Sequence, residues 1–513
     1  MLVKNSISAA LIMMQCALFG QQLPIKVVIH PDQVISDNFI GHGVEWSAYP
    51  HADATTAEWG LLMIDEKWNT VFQRLDYMRP KIVRVMDQAN WRYLKGFDKK
   101  GNPIVNYEGE EMTALYRLLD YCEKNKITVI LGEWGQPYKM HDTKLQMQDR
   151  FKGNDDPKWH MLIADFVKHL IIEKKYTVIK YYNIVNEPNG YWSTIDGNWK
   201  EWKSAISGLQ KEFVRRNISS NISIIGPDAT PYNNKKSEYK GIEWAEQSAV
   251  QLGNILGAYD IHDYPTKEFV RSGDFEKHYS KLIKFTDRTS KKPFFIGEIG
   301  FEKYTPENIK RYEDDPYASP DSQLSIYDYD YGVDMADVLA QSMNAGFDGV
   351  VAWGLDDAMH TNGDMGDKHE LKKWGMWNIL GKELTGDVKE ENIRPWYYTW
   401  SLMTRFYTSG MNIVRSSASV ETEGFRVVTG IAKDGNVTMT FVNNGKEDLT
   451  VELEGKPVID AKKFKEYLYS ENDRKVNKQG FPVTAQTGIV LKGKSRNIKI
   501  PAKSVVLLTT YNY

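Results

Sequence analysis

Cysteine is nearly missing: there are two in 513 residues, and one of them, Cys16, falls in an N-terminal segment with a separate character. That segment has a basic residue, Lys4, then a mostly apolar run over 7–19, the form of a secretory signal peptide over 1–20. Cys16 follows Met14-Gln15 and precedes Ala17-Leu18-Phe19, which is not the small-residue setting of a lipid-modified cysteine. Cleavage is expected between Ala17 and Leu23, giving a secreted or periplasmic chain. Only Cys122 is then left, so no disulfide is expected. Cys122 continues the stripe Leu115, Leu118, Leu119 of a helix and reads as inert core. An excess of either charge is also missing: 65 Lys and Arg against 68 Asp and Glu give −3, with a pI near 6.4. This carries no electrostatic footprint for nucleic acid or an anionic membrane. The run over 7–19 is too short to span a bilayer and no later run is long enough, so no membrane insertion is expected. There is no internal repeat and no low-complexity segment.

What remains is ample core material, 42% hydrophobic and 12% aromatic, in a length that suits two or three domains. After a first strand over 25–29, strand-like runs fall at 39–46, 81–86, 128–134, 180–185, 223–226, 258–264, 294–298 and 349–354. Helical periodicity separates them, at 65–78, 110–124, 159–173, 199–216, 243–256, 275–286 and 332–344. Eight strands with crossover helices spell a (β/α)8 TIM barrel over 39–395, an α/β class with parallel strands. From 396 an aromatic helix leads into short alternating runs joined by Asp434-Gly435-Asn436 and Asn443-Asn444-Gly445. Residues 396–513 therefore read as a linking helix and a C-terminal antiparallel β-sandwich. Segment 21–38, which has no place in the barrel, is expected to add a strand to it.

The chemistry sits at strand ends. In Tyr181-Tyr182-Asn183-Ile184-Val185-Asn186-Glu187-Pro188 an apolar run closes on Asn-Glu, and proline stops the strand. In Phe294-Phe295-Ile296-Gly297-Glu298 a second apolar strand carries one carboxylate. Glutamate is depleted in buried strands and costly to bury alone, so two of them, on strands four and seven, suggest a working pair. Glycosidic bonds are cleaved by two such carboxyl groups in unlike environments, one a proton donor and one an ionised nucleophile or base. Arg84, near the end of strand two, can hold a carboxylate ionised through a charge-assisted bond. His262 and Tyr264 alternate on strand six and point to one side, within reach of Glu298. Trp353 on strand eight can floor a sugar site. Glu45, Trp46, Glu133, Trp134 and Asp228 also fall at strand ends; of these, Glu45 and Trp134 are candidate substrate contacts. Each taken singly could be core or an internal ion pair.

With these residues in place the chain resembles clan A glycoside hydrolases, the superfamily of many retaining cellulases, xylanases, xylosidases, glucosylceramidases and arabinofuranosidases. Asn186-Glu187-Pro188 is similar to the clan's acid/base motif after strand four, and Ile296-Gly297-Glu298 to its strand-seven nucleophile. Arg84, His262, Tyr264 and Trp353 fall where members often carry the same residue types. The appended sheet domain resembles the layout of the xylosidase and glucosylceramidase branches. Gly132-Glu133-Trp134-Gly135 and the long loops over 301–331 and 356–377 depart from any one family's pattern.

The resemblance implies a retaining hydrolase acting on a poly- or oligosaccharide, with Glu187 as acid/base, Glu298 as nucleophile and Asn186 as a substrate contact. No cofactor or metal is called for. Asp356, Asp357, His360, Asp364, Asp367 and His369 have no metal-ligand spacing, and the loop reads as solvated or as offering hydrogen bonds to substrate. A transglycosylase with the same residues, or an inactive glycan-binding barrel, remain the alternatives.

Overall fold

The computed structural model describes residues 23–47, 49, 63–134, 150–359, 370–455, 458–460, 462–491 and 497–513. The expected signal segment, Cys16 and the acidic loop from His360 to His369 lie outside them. No helix among the described residues is long and apolar enough to cross a membrane.

Eight parallel strands close a barrel: β2 (Gly43–Glu45), β3 (Ile82–Asp87), β6 (Thr128–Glu133), β7 (Ile179–Asn183), β8 (Ser223–Ile225), β9 (Leu256–Asp263), β10 (Phe294–Ile299) and β11 (Gly349–Ala352). They are the eight expected from the alternation. The ring closes because β11 pairs with β2, Val351 opposite Gly43. Gly43 is needed there, since a Cβ would lie 1.7 Å from the carbonyl oxygen of Ile82 on β3. Inside the barrel Ile82, Ile130, Ile225, Ala258, Phe295 and Val351 form a separate buried cluster. A larger cluster fills the space between strands and helices, so the barrel is solid and its chemistry is confined to the mouth. Helices Asp65–Met78 and Glu110–Asn125 match their apolar periodicity closely, each ending at a left-handed residue, Arg79 and Lys126. The helix expected over 159–173 is instead Pro157–Lys168 followed by a wider π-helical turn, His169–Glu173. A small hairpin, β4 (Leu94–Phe97) with β5 (Pro103–Val105), escaped the sequence reading because it is short and weakly alternating.

The second unit is a nine-stranded sheet. It contains β1 (Ile25–Phe39), β12 (Met411–Ala418), β13 (Phe425–Ile431), β14 (Val437–Asn443), β15 (Leu449–Glu454), β16 (Lys463–Tyr469), β17 (Gln486–Val490), β18 (Asn497–Ile500) and β19 (Ser504–Thr509). In space the order is β17-β16-β19-β14-β13-β12-β1-β15-β18. Every neighbouring pair is antiparallel except β1 with β15, so the sheet is mixed at the place where the N-terminal strand enters it. All nine strands contribute buried residues to one apolar core, the arrangement of a sandwich.

Two helices join the units. Tyr329–Ala345 is buried on nearly every side, and its Tyr329 stacks on Tyr469 with ring centroids 4.6 Å apart. In Tyr397–Phe406, Trp400 Nε1 donates to Gly43 O on the first barrel strand at 3.1 Å, while the Tyr398 hydroxyl donates to Leu468 O on β16 at 3.0 Å. Trp400 therefore supports barrel closure from outside. Trp400→Ala should lower the unfolding free energy by about 3–5 kcal/mol, a cost typical of an emptied aromatic site. Denaturant unfolding of the two proteins measures it, and a loss below ~1 kcal/mol would mean that the helix is not a buttress.

Candidate active site

The two glutamates reach the barrel mouth by different local devices. Glu298 lies inside β10, where the pairing with β9 slips between Ile296 and Glu298, so that Glu298 stands opposite His262. Such a bulge re-aims a side chain. Gly297 within it has no Cβ to spare: one would sit 3.1 Å from Asp260 Oδ2 and 3.2 Å from His262 Nε2. Glu187 lies four residues beyond the end of β7, in a turn ahead of Pro188, with φ 48°. For a non-glycine residue this is an uncommon left-handed conformation, of the kind that collects at functional sites.

Arg84 joins Glu298 to Asn186, the residue before Glu187. Its Nη1 donates to Glu298 Oε1, and its Nη2 donates to Asn186 Oδ1 at 2.9 Å and to Asp228 Oδ2 at 3.0 Å. Asp228 Oδ2 also accepts from Asn183 Nδ2 at 2.6 Å. The Tyr264 hydroxyl donates to Glu298 Oε2 at 2.7 Å. His262 Nδ1 is 2.9 Å from Glu187 Oε1 and 3.4 Å from Glu298 Oε2, and so stands between the two glutamates. On its other side His262 Nε2 lies 2.9 Å from Asp228 Oδ1, an ion contact rather than an aligned hydrogen bond. Trp192 Nε1 donates to the remaining oxygen of Glu187, Oε2. One oxygen of Glu187 and one of Glu298 lie within 4.8 Å of each other.

The charges follow from this geometry. Burial opposes a cationic His262, but the carboxylates of Asp228 and Glu298 outweigh it and hold the imidazolium up to about 10. Burial likewise opposes the Arg84 charge, and Asp228 and Glu298 again win, keeping it above its ordinary value. Asp228 is buried, yet His262 and Arg84 pull its carboxyl well below the usual range. Beneath it Asp260, whose Oδ1 accepts the Asp228 backbone N–H at 2.8 Å, is pushed far up by burial and by Asp228. Burial, then Glu298 and Glu187, push the Tyr264 phenol far up, which keeps it a donor.

Glu187, His262 and Glu298, and likewise Asp228, Asp260 and His262, have ligand atoms close enough to share a cation. Both triplets depend on His262, and an imidazolium has no lone pair to offer a metal. Arg84 and His262 already supply the positive charge there.

Of the expected residues, Arg84, Asn186, Glu187, His262, Tyr264 and Glu298 form one connected network. Trp353 and Trp134 form a right-angled pair beside it, with centroids 5.7 Å apart at 88°. Glu45 is buried; its Oε1 accepts the Ser47 N–H at 3.0 Å, and its Oε2 lies 3.3 Å from where a Cβ on Gly354 would stand. Trp46 is core, packed on Trp68, Phe72 and Tyr121. Glu133 turns away to accept from Ala89 N at 2.8 Å and from the Tyr182 hydroxyl. Asp356 and Asp357, expected on a solvated or substrate-facing loop, are both buried. Asp356 accepts from Tyr49 and Trp377, while Asp357 takes Arg394 and the N–H groups of Trp374 and Gly375, so both pin loop backbone. Two members of the site were missed. Asp260 was legible, because it precedes His262 and Tyr264 at the same period of two. Trp192 was not, because an irregular loop carries no periodicity.

No protein-family model matches the chain, and no curated protein matches it by sequence. Solved structures do resemble it. A glucosidase from Croceicoccus marinus has a TM-score of 0.62 at 10% identity, covering 96% of this chain and 100% of its own. A monomeric beta-xylosidase from Caulobacter crescentus has 0.60 at 13%, covering 94% and 98%. A family 30 subfamily 8 glycoside hydrolase, a xylanase from Clostridium acetobutylicum, has 0.59 at 13%, covering 94% and 99%. At such identities the likeness is one of fold, and it spans barrel and sheet together.

The raised His262 has a thermodynamic consequence. Its stabilisation is complete below the ordinary value of 6.5 and is lost as pH climbs through about 10. The gap in unfolding free energy between wild type and His262→Gln should therefore narrow steadily from pH 6.5 to 10. Denaturant melts across that range measure the gap, and a constant gap would mean that His262 is not held as a cation.

Proposed function

We propose that the protein is a retaining glycoside hydrolase that cleaves a poly- or oligosaccharide by double displacement. The observation that carries this reading is the carboxylate pair itself. An oxygen of Glu187 and one of Glu298 lie within 4.8 Å of each other, a close approach that agrees with the spacing of about 5–5.5 Å between the carboxyl groups of retaining pairs. The two glutamates also stand in unlike surroundings. Glu298 is bonded to Arg84 and Tyr264, a setting for a negative nucleophile, and Glu187 to His262 and Trp192 at the rim. The solved structures of like fold include a xylosidase, a glucosidase and xylanases, which agrees with a sugar substrate.

In the first step a Glu298 oxygen attacks the anomeric carbon as the glycosidic C–O bond breaks, and Glu187 gives its proton to the departing oxygen. The sugar is then an ester of Glu298, and Glu187 is a carboxylate. In the second step Glu187 takes a proton from water, the resulting oxygen nucleophile attacks the same carbon, and the ester C–O bond breaks. The sugar leaves with its configuration retained, and both glutamates return to their starting states. Arg84 and Tyr264 hold the Glu298 carboxylate as it loses and regains charge. We also read the chain as exported after cleavage between Ala17 and Leu23; N-terminal sequencing of the exported protein checks this.

The two glutamates should have different kinetic signatures. Glu298→Ala should lower turnover by about 10⁴-fold or more for every substrate, with azide restoring it by attack on the opposite face. Glu187→Ala should keep substantial activity only on substrates with good leaving groups, accumulate the glycosyl ester, and be rescued by azide with net retention. Hydrolysis of a panel of aryl glycosides and polysaccharides, with the anomer followed by NMR, makes the measurement. Exchanged signatures would reverse the assignment, and inverted product from wild type would refute the mechanism.

A further inference from the structure

Asp260 is a buried acid for which the reaction as written has no use. It lies on β9, two residues before His262, and is wholly closed to solvent, as is Asp228 beside it. Asp228 has φ 61°, a left-handed conformation uncommon outside glycine. The chain after Asp228 is stitched to β9, with His262 N donating to Ala229 O at 3.0 Å. Asp260 Oδ1 secures the strained residue itself, accepting its N–H at 2.8 Å.

The two carboxyl groups are unequally provided. Asp228 Oδ2 accepts from Arg84 and Asn183, and its Oδ1 lies beside His262. Among the described residues Asp260 receives one backbone N–H, and its Oδ2 has no hydrogen-bond partner. Yet an oxygen of each acid lies within 4.8 Å of the other. Two bare carboxylates so close and so deep would repel, and one of them would lack donors. The local charge also favours a proton on the pair. Arg84 and His262 supply two positive charges, which Asp228 and Glu298 match while Glu187 holds the proton it is to donate. A third buried anion would leave the cluster in excess by one, and burial with Asp228 accordingly pushes Asp260 far up.

We infer that Asp260 is a positioning residue for the reaction: its carboxyl keeps a proton and donates it to the Asp228 carboxylate, while its Oδ1 holds the Asp228 backbone. The inference rests on the glycosidase reading, with Glu187 as acid/base and Glu298 as nucleophile. Asp228, fixed at both backbone and side chain, in turn holds Arg84 and His262, the two groups that reach the glutamates. Misplacing reacting groups by about 1 Å can cost about 10²-fold in rate, so the role of Asp260 is read in kcat. Asparagine reproduces both contacts with no proton to lose, since its carbonyl accepts the N–H and its amide donates to Asp228. Leucine, of similar size, reproduces neither.

The test sets Asp260→Asn and Asp260→Leu against wild type on the aryl glycoside that wild type turns over best. Asp260→Asn should keep at least a third of the wild-type kcat with the same pH profile. Asp260→Leu should lose at least tenfold in kcat, with KM within threefold. Infrared spectra of protein with 13C-labelled aspartate carboxyls read the proton directly. At pH 7 the difference between wild type and Asp260→Asn should contain the C=O stretch of a protonated acid. That comparison needs only the asparagine variant, so it decides even if circular dichroism shows the leucine variant unfolded. A carboxylate band in its place, a displaced pH profile in Asp260→Asn, or equal kcat in the two variants would overturn the inference while leaving the glycosidase reading intact. Wild type inert on every aryl glycoside and polysaccharide tried would overturn that reading, and with it any role for Asp260 in turnover.

Discussion

The buried guanidinium of Arg84 is the constraint on which the mouth of the barrel depends. A cation taken from water costs several kcal/mol, recovered only if its partners are close and well aimed. Here the partners come from β10 (Glu298), from the residues after β8 (Asp228) and from the turn after β7 (Asn186). Three separate strand ends are held to one plane of donors on β3. Glu298, one of the two carboxyl groups of the proposed reaction, is consequently placed directly by a charge that substrate never needs to bring, and Glu187 follows Asn186, its neighbour in the chain. Loss of one such partner leaves a buried charge unpaired, at a typical cost of 3–5 kcal/mol.

His262 extends the same logic to the second glutamate. It shares Asp228 with Arg84 on one side and stands between Glu187 and Glu298 on the other. Two cations thus face the carboxyl groups of Asp228, Glu298 and Glu187, and a fourth acid below them, Asp260, is driven toward its neutral form. The difference between Glu187 and Glu298 comes from the residual partners. Glu298 has the phenol of Tyr264 and is nearly closed off, whereas Glu187 has the indole of Trp192 and lies nearer the surface.

Much of this was legible in the chain. The barrel strands could be counted because parallel strands covered on both faces are short apolar runs, and their helices carry the 3.6 period. Glu187, Glu298, Arg84, His262 and Tyr264 stood out as polar residues at the ends of such runs. The failures have physical reasons. The bulge at Gly297, which turns Glu298 toward His262, is a register slip that no composition reveals. The acids Asp356 and Asp357 look solvated by residue type, but Arg394, 37 residues beyond Asp357, buries and pairs it. Trp192 works through a contact set by Gly190, in a loop without periodicity.

The most direct measurement of the central claim, that Glu298 attacks the sugar, is covalent trapping. A 2-deoxy-2-fluoro glycoside of the sugar that the enzyme turns over should inactivate it with one equivalent of label, and peptide mapping should place that label on Glu298. Label on Glu187, or time-dependent inactivation with no label on either glutamate, would contradict the account.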